Sequence, residues 1–259
     1  MASKQSSEKI LRELHDGVLS LTLNRPDRLN AIDIDMLDWL IEALQEAGSN
    51  DDVGAIVLRG SGRVFCAGAD IGQMINRTAA DWEQIVDHYL DPIRLIVAID
   101  KPIIARCHGD VVGGGLGLAL ACDFRIGADS SRYCAPFIKL GLAGCDMSAG
   151  YFLPRLIGMG RATDMMMTAR FVEAKEAYDI GLLSRLVAED ELDDAVLTLA
   201  DSFAKGPSRA LAVTKNAIRR SMDNDMNGEF DYEIFAQVQC LQSETHRERV
   251  AAFFKKNGD

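Results

Sequence analysis

Apolar and polar positions follow two different periods along the chain. Residues Val18–Leu23 alternate between the two types, which predicts a strand that ends before Pro26. From residue 34 to residue 44 apolar residues recur at helical spacing and Gly48 ends the run, so a helix is predicted there. Short apolar runs predict buried strands at 55–58, 102–105 and 124–126, the last one preceded by an apolar helix at 116–121. Strands separated by helices are typical of parallel βαβ units.

The pattern becomes mostly helical after about residue 160. A last short strand is predicted at residues 184–187. Amphipathic helices are predicted at 192–203 and 210–222, and one long helix or a pair of helices at 231–254. The sequence therefore predicts an N-terminal α/β core followed by a helical C-terminal part.

Charge and length narrow the classes of function. The chain has 259 residues, with 28 Lys plus Arg against 39 Asp plus Glu and a formal net charge of −11. This length allows one large domain whose core needs no disulfide or metal. The acidic balance argues against a nucleic-acid partner, because binding to phosphates needs a basic surface. An anionic small molecule is not excluded, since a binding site is local whereas net charge is global.

Three further features bear on where the protein acts. No apolar run reaches the roughly 18 residues that span a bilayer. The first ten residues lack the apolar core of a secretory signal. The six cysteines include no CxxC pair, which is typical of reduced thiols. We therefore expect a cytoplasmic protein without a membrane partner or a metal.

Two glycine-containing segments, at residues 63–71 and 108–117, are the candidates for a functional site. The second has three glycines in a row between a predicted strand and a predicted helix. A helix N-terminus has unpaired N–H donors and a partial positive charge, so glycine there lets an anion or a polarised oxygen approach. Tight packing of helix on sheet without a ligand is the alternative. The spacing of Gly113, Gly115 and Gly117 does not match GxGxxG, and no GxxxxGK[ST] occurs, which argues against a nucleotide phosphate.

Several motifs in order resemble the enoyl-CoA hydratase/isomerase (crotonase) family. They are NRPDRLNA at 24–31, FCAGADI at 65–71, HGDVVGGG at 108–115, ACD at 121–123 and LPRLIG at 153–158. The resemblance implies a crotonase-like α/β spiral of ββα superhelical turns over residues 1–200 and a helical C-terminal trimerisation region over 201–259. It also implies an acyl-CoA substrate, a homotrimer or a dimer of trimers, and no cofactor apart from the coenzyme A of the substrate.

The resemblance also implies the residues of the site. Two backbone N–H groups form an oxyanion hole for the thioester carbonyl, and by motif position they are those of Ala69 and Gly114. An enolate oxygen there would be stabilised by about 3 kcal/mol for each preorganised donor. The residues implied to bind coenzyme A are Arg28, Ala31, Ala67, Asp70, Ile71, Phe254 and Lys255. For Lys255 and its neighbour Lys256, the alternative is that they only form the solvated end of a helix.

The chain departs from the family pattern at both catalytic glutamates. Gly117 stands at the first position and Phe137 at the second. Adding water to an unsaturated thioester needs a base for the water and an acid for the α-carbon, and neither residue can act as one. The sequence therefore argues against ordinary two-glutamate hydration.

Asp146 is the carboxylate left in this region, and we expect it to act as acid/base or nucleophile. Some family members, among them dienoyl-CoA isomerases and 4-chlorobenzoyl-CoA dehalogenases, place an active aspartate in this loop, which is one residue longer here. The alternative is that Asp146 caps a helix that begins near Met147. Dehalogenases also use a histidine base from an earlier helix, where His88 lies at a shifted spacing. A thioester-binding protein without turnover also remains open.

Overall fold

The structure is a computed structural model and describes residues 8–73 and 78–257. The strands are β1 (Ile10–His15), β2 (Val18–Leu23), β3 (Ala55–Gly60), β4 (Ile103–Cys107), β5 (Asp110–Val112), β6 (Phe124–Ala128), β7 (Arg132–Cys134), β8 (Val172–Glu173) and β9 (Arg185–Val187). The helices are α1 (Ile34–Ser49), α2 (Ala79–Ala98), α3 (Gly114–Ala121), α4 (Ala149–Ile157), α5 (Met159–Thr168), α6 (Ala174–Asp179), α7 (Leu192–Ala204), α8 (Ser208–Arg220), α9 (Met226–Leu241) and α10 (Glu244–Asn257).

Six strands form the main sheet, in the order β1-β2-β3-β4-β6-β9. β1 pairs with β2 as an antiparallel hairpin, and the other neighbours are parallel. A second sheet has the order β5-β7-β8. The isolated bridge between Cys66 and Val111 joins the segment that follows β3 to the second sheet. The predicted parallel βαβ arrangement is therefore confirmed.

Apolar side chains fill both faces of the main sheet. On one face α7 packs Leu192, Val196 and Ala200 against the outer side of β2, β3, β4 and β6. On the other face a larger cluster joins the sheet to α1, α2 and α3. Central strands buried on both faces need continuous apolar runs, which is why β3 and β4 are visible in the sequence.

The predicted elements correspond to β2, β3, β4, β6, β9, α1, α3, α7 and α8, with bounds shifted by a few residues. The C-terminal prediction of one helix or a pair resolves into the pair α9 and α10. β1, α2 and the second sheet were not predicted. The division between residues 200 and 201 falls inside α7, and it stays a prediction.

The C-terminal helices bury few side chains. α9 packs against α8, and Ala236 is its one buried residue. Large apolar side chains on it are exposed, among them Phe230, Ile234 and Val238. Within the two described ranges, no helix combines the length and the apolar character needed to cross a bilayer.

Candidate active site

Two backbone amides converge at the N-terminus of α3. Ala69 forms an isolated parallel bridge with Ile32, and Gly114 is the first residue of α3. A Cβ atom built on Gly114 would lie 3.5 Å from the amide nitrogen of Ala69, so the two residues are in direct contact. Among the described residues neither amide donates to a backbone carbonyl. The two predicted donors therefore lie together, and neither has an acceptor in the part of the chain that the structure describes.

Glycine permits this close approach at two positions. Gly68 has a φ of +105° and Gly113 a φ of +56°, a region that side chains with a Cβ rarely adopt. A Cβ on Gly68 would also lie 3.2 Å from the Gly114 nitrogen. The Gly113 amide donates to the Cys134 carbonyl at 3.0 Å, which fixes the turn before α3. The turn therefore places the amides of Ala69 and Gly114 next to each other.

The electrostatics of this point favour a negatively charged oxygen. Gly114 lies at the positive end of α3, and all eight residues of that helix are buried. Unpaired N–H donors in a partly dehydrated position stabilise charge that develops on a carbonyl oxygen. The arrangement is suited to holding an oxyanion.

The segments predicted to bind coenzyme A lie side by side next to these amides. The Ala67 amide donates to the Leu29 carbonyl at 3.0 Å, between the predicted residues Arg28 and Ala31. Arg28 is exposed and forms no ion pair with any residue that the structure describes. Ile71 is also exposed. The structure thus brings these predicted residues together, and the binding of coenzyme A by Arg28 stays a prediction.

The predicted C-terminal contacts are elsewhere in the single chain. Phe254 and Lys255 are exposed on α10. This helix packs on α9, and its Arg249 side chain donates to the Lys205 carbonyl. A role of these two residues at the site stays a prediction. The side chain of Lys256 lies outside the described part.

Asp70 has a partner that the sequence did not reveal. Both terminal nitrogens of the Arg25 guanidinium lie 3.1–3.2 Å from Asp70 Oδ2, and one of them also donates to the Ala31 carbonyl. The backbone amide of Asp70 donates to the Ile32 carbonyl at 2.8 Å. The carboxylate therefore ties the Ala69 segment to the neighbouring turn. Arg25 was visible in the NRP motif, but a pair so far apart in sequence could not be predicted.

Asn30 is a second positioning residue that sequence reasoning missed. It is fully buried and has a φ of +55°. Its amide nitrogen lies 2.8 Å, 2.9 Å and 3.2 Å from the carbonyl oxygens of Ser61, Val64 and Phe65. Its side-chain oxygen accepts from the Arg25 amide. The side-chain amide of Asn30 thus provides hydrogen bonds to three carbonyl groups of the loop that leads into the segment with Ala69.

Asp146 lies in the loop before α4, half-buried. Its Oδ1 accepts a hydrogen bond from the Met147 amide at 2.8 Å. No residue in the described ranges donates to Oδ2. α4 begins at Ala149 with Ser148 as N-cap, so the alternative that Asp146 caps a helix beginning near Met147 is wrong. The carboxylate keeps a free oxygen.

The two positions of the missing glutamates are both filled. A Cβ on Gly117 would overlap the Met147 carbonyl oxygen and lie 2.6 Å from the Met147 Cβ. Phe137 is buried in the apolar core. Pro136, its neighbour, would lie 3.8 Å from a Cβ on Gly113. Neither position therefore carries a carboxylate. Met147 fills the space beside residue 117, and the buried Phe137 stands at the second position.

Two other candidate groups, Cys66 and His88, are buried or engaged by neighbouring side chains. Burial raises the pKa of the Cys66 thiol to about 12, so it is not a thiolate nucleophile. Both ring nitrogens of His88 contact carboxylates, Nδ1 with Asp91 at 3.0 Å and Nε2 with Asp38 at 2.7 Å. Burial alone would lower the pKa of His88, but these hydrogen bonds outweigh it and raise the pKa. His88 is thus tied between α1 and α2.

Comparisons with known proteins identify the family of this chain. The family model for enoyl-CoA hydratase/isomerase matches residues 13–258. The chain is 31% identical to 4-chlorobenzoyl coenzyme A dehalogenase-2 from Arthrobacter sp, covering 98% of this chain and 93% of the relative. It is 33% identical to 1,2-epoxyphenylacetyl-CoA isomerase from Escherichia coli K12, with 96% of each chain covered.

A solved structure extends the likeness to the fold. The enoyl-CoA hydratase from Mycobacterium smegmatis matches with a TM-score of 0.91 and 30% identity, covering 96% of this chain and 97% of that one. The sequence motifs and these matches lead to one conclusion. The two adjacent amides of Ala69 and Gly114 are consistent with it. The chain belongs to the enoyl-CoA hydratase/isomerase family and is an enzyme of the crotonase fold.

Proposed function

We propose that this enzyme converts an acyl-CoA thioester through an enolate held by the amides of Ala69 and Gly114. The observation that carries the proposal is the pair of unpaired N–H groups at the buried start of α3. Each such donor lowers the barrier by about 3 kcal/mol when charge develops on the carbonyl oxygen. Coenzyme A enters as part of the substrate, with Arg28 near its phosphates.

Asp146 is the proposed acid/base. As base it would take a proton from the carbon next to the carbonyl, and the C–H electron pair would pass to the thioester oxygen. Return of the same proton to another carbon would complete an isomerisation without water. The free Oδ2 of Asp146 supports this role, because Oδ1 is held by the Met147 amide.

An isomerisation of this kind is favoured over hydration. Gly117 and Phe137 supply no second carboxylate, and the place of a side chain at residue 117 is taken by Met147. Dehalogenation is the second candidate, because a relative has that activity in its name. The engagement of both His88 nitrogens by carboxylates weighs against a free histidine base.

The test measures binding and turnover separately. A panel of crotonyl-CoA, a dienoyl-CoA, benzoyl-CoA and 4-chlorobenzoyl-CoA is followed by ultraviolet absorbance, and binding by calorimetry. The aromatic thioesters are included because one relative has the aromatic 4-chlorobenzoyl group in its name. Asp146→Asn is expected to abolish turnover while the dissociation constant for the thioester changes little.

Gly114→Ala is the companion variant. Its methyl group would meet the Ala69 nitrogen and the Met147 Cε at 3.5 Å, which is ordinary contact, so the fold is expected to remain. The methyl would crowd the oxyanion hole and lower turnover by about a hundredfold or more. Unchanged turnover in both variants would contradict the mechanism. Stabilisation by thioesters without turnover in the unmodified protein would favour a binding protein instead.

The assembly is proposed to be a homotrimer or a dimer of trimers. Exposed apolar residues on α9 and α10, among them Phe230, Ile234, Phe253 and Phe254, support an intersubunit role for these helices. Lys255 would then reach coenzyme A of a neighbouring subunit. Sedimentation of the protein with and without residues 226–259 tests this, and a monomer in both cases would contradict it.

A further inference from the structure

Met147 covers the face of α3 that carries Gly114 and Gly117. Its Cε would lie 3.5 Å from a Cβ on Gly114, and its own Cβ would lie 2.6 Å from a Cβ on Gly117. Residues three apart share one face of a helix, so one side chain spans both positions. Met147 is almost fully buried, 3% exposed. The terminal methyl group of Met147 is therefore a direct neighbour of Gly114.

The backbone around Met147 is fixed in an unusual conformation. Met147 has a φ of +49° and Ser148 a φ of +63°. Such conformations persist where the surrounding structure determines them, and they concentrate at functional sites. Here the Met147 amide is held by Asp146 Oδ1, the Ala149 amide by the Asp146 carbonyl, and the Gly150 amide by the Cys145 carbonyl. The Cα and Cβ of Met147 are thus held in place, while its terminal methyl can adapt.

We infer that Met147 determines which acyl groups this enzyme accepts, by limiting the space beside the thioester carbonyl. This inference rests on the proposed acyl-CoA function. The buried side chain is expected to favour compact apolar acyl groups over a bulky ring at the carbonyl. It carries no exchangeable proton, so it contributes shape and not acid/base chemistry.

The experiment measures binding of acetyl-CoA, benzoyl-CoA and free coenzyme A by calorimetry. Met147→Gly removes the side chain and suits the positive φ. We expect the preference between the two thioesters to move toward benzoyl-CoA by about tenfold or more, while the affinity for free coenzyme A stays as in the unmodified protein. Met147→Leu keeps most of the volume, and its ratio is expected to stay within about twofold of the starting one.

Met165→Ala is the matched control, because Met165 is fully buried in α5. It is expected to lower the melting temperature and leave the thioester preference unchanged. Met147→Ala gives the same comparison if Met147→Gly loses its cooperative melting transition.

The two possible failures are distinguishable. If the unmodified protein binds thioesters but the ratio does not move in either truncated variant, the role of Met147 is wrong and the proposed function stands. If the unmodified protein binds neither coenzyme A nor a thioester, the proposed function fails and the role of Met147 fails with it.

Discussion

The guanidinium of Arg25 contacts the carboxylate of Asp70 across 45 residues of sequence, with nitrogen–oxygen distances of 3.1 and 3.2 Å. Both side chains are mostly buried, 17% and 26% exposed. Asp70 follows Ala69 directly, so this ion pair fixes the strand segment that presents one of the two amide donors. The position of a backbone donor thus depends on a charged pair that does not itself face the oxyanion.

Asp70→Asn is expected to lower the free energy of unfolding by about 1–3 kcal/mol, because it weakens hydrogen bonds to a charged, partly buried group. Urea denaturation measures this. Asp179→Asn is the control, since Asp179 pairs with Lys175 on the exposed surface of α6. That change should cost less than about 1 kcal/mol. Equal losses in the two variants would show that the Arg25 pair has no special role.

Asn30 separates two contributions to stability, its positive φ and its hydrogen bonds. Asn30→Gly keeps the backbone freedom but leaves the carbonyls of Ser61 and Val64 without their partner. We expect a loss of about 1–3 kcal/mol for each buried group left unsatisfied. Asn30→Ala should lose more, because alanine also resists a φ of +55°. If the glycine variant is as stable as the starting protein in urea, the amide contacts contribute nothing.

Gly117→Ala is expected to destabilise the fold, because its methyl group overlaps the backbone of Met147. Overpacking of this kind costs about 1–3 kcal/mol or more. Gly160→Ala is the matched control, since a Cβ there meets nothing within 4 Å and the residue lies in α5. Alanine should stabilise that helix by about 0.5–1 kcal/mol. Opposite shifts in melting temperature are the expected result, and a rise for both variants would contradict the overlap.

His88 is expected to make stability depend on pH. Its pKa is raised above the ordinary value of 6.5 by Asp91 and Asp38, and Arg94 in turn pairs with Asp91 and Asp87. A raised pKa means that the protonated form is favoured in the folded state. Its stabilising effect is complete below about pH 6 and is lost as the pH rises through the raised pKa.

Unfolding free energies measured between about pH 5 and 9 test this. His88→Gln should remove the part of the pH dependence that lies near and above the ordinary histidine pKa. His15→Gln is the control, because the His15 side chain is 89% exposed. An identical pH profile for the starting protein and His88→Gln would rule out the effect.

The sequence predicted those parts of the fold whose pattern is local. β3 and α3 are continuous apolar runs, and α1 has an N-cap at Asp33 that accepts from the Met36 amide. α2 was missed because it contains Pro92 and exposed polar residues beside few buried ones. β5, β7 and β8 have two or three residues each, too few to show an alternating pattern.

The residues of the site also fall into those that a local motif could locate and those whose contacts depend on packing between distant segments. Ala69 and Gly114 could be placed because the motifs around them resemble those of the family, which implies which backbone amides are the donors. Met147 could not, because its contact with the start of α3 depends on how the loop before α4 folds over that helix. The link between His88 and Asp38 spans 50 residues and is likewise set by packing of α2 on α1.

The overlap between residue 117 and Met147 also limits how this chain can change. A carboxylate placed at residue 117 alone has no space, so a single substitution does not give the two-glutamate arrangement. The loop with Met147 and Ser148 in left-handed conformations would first have to shorten or withdraw. Any mutational route from this protein to a hydratase of the common type therefore begins with a change in the loop at residues 141–148, and the new acid follows it.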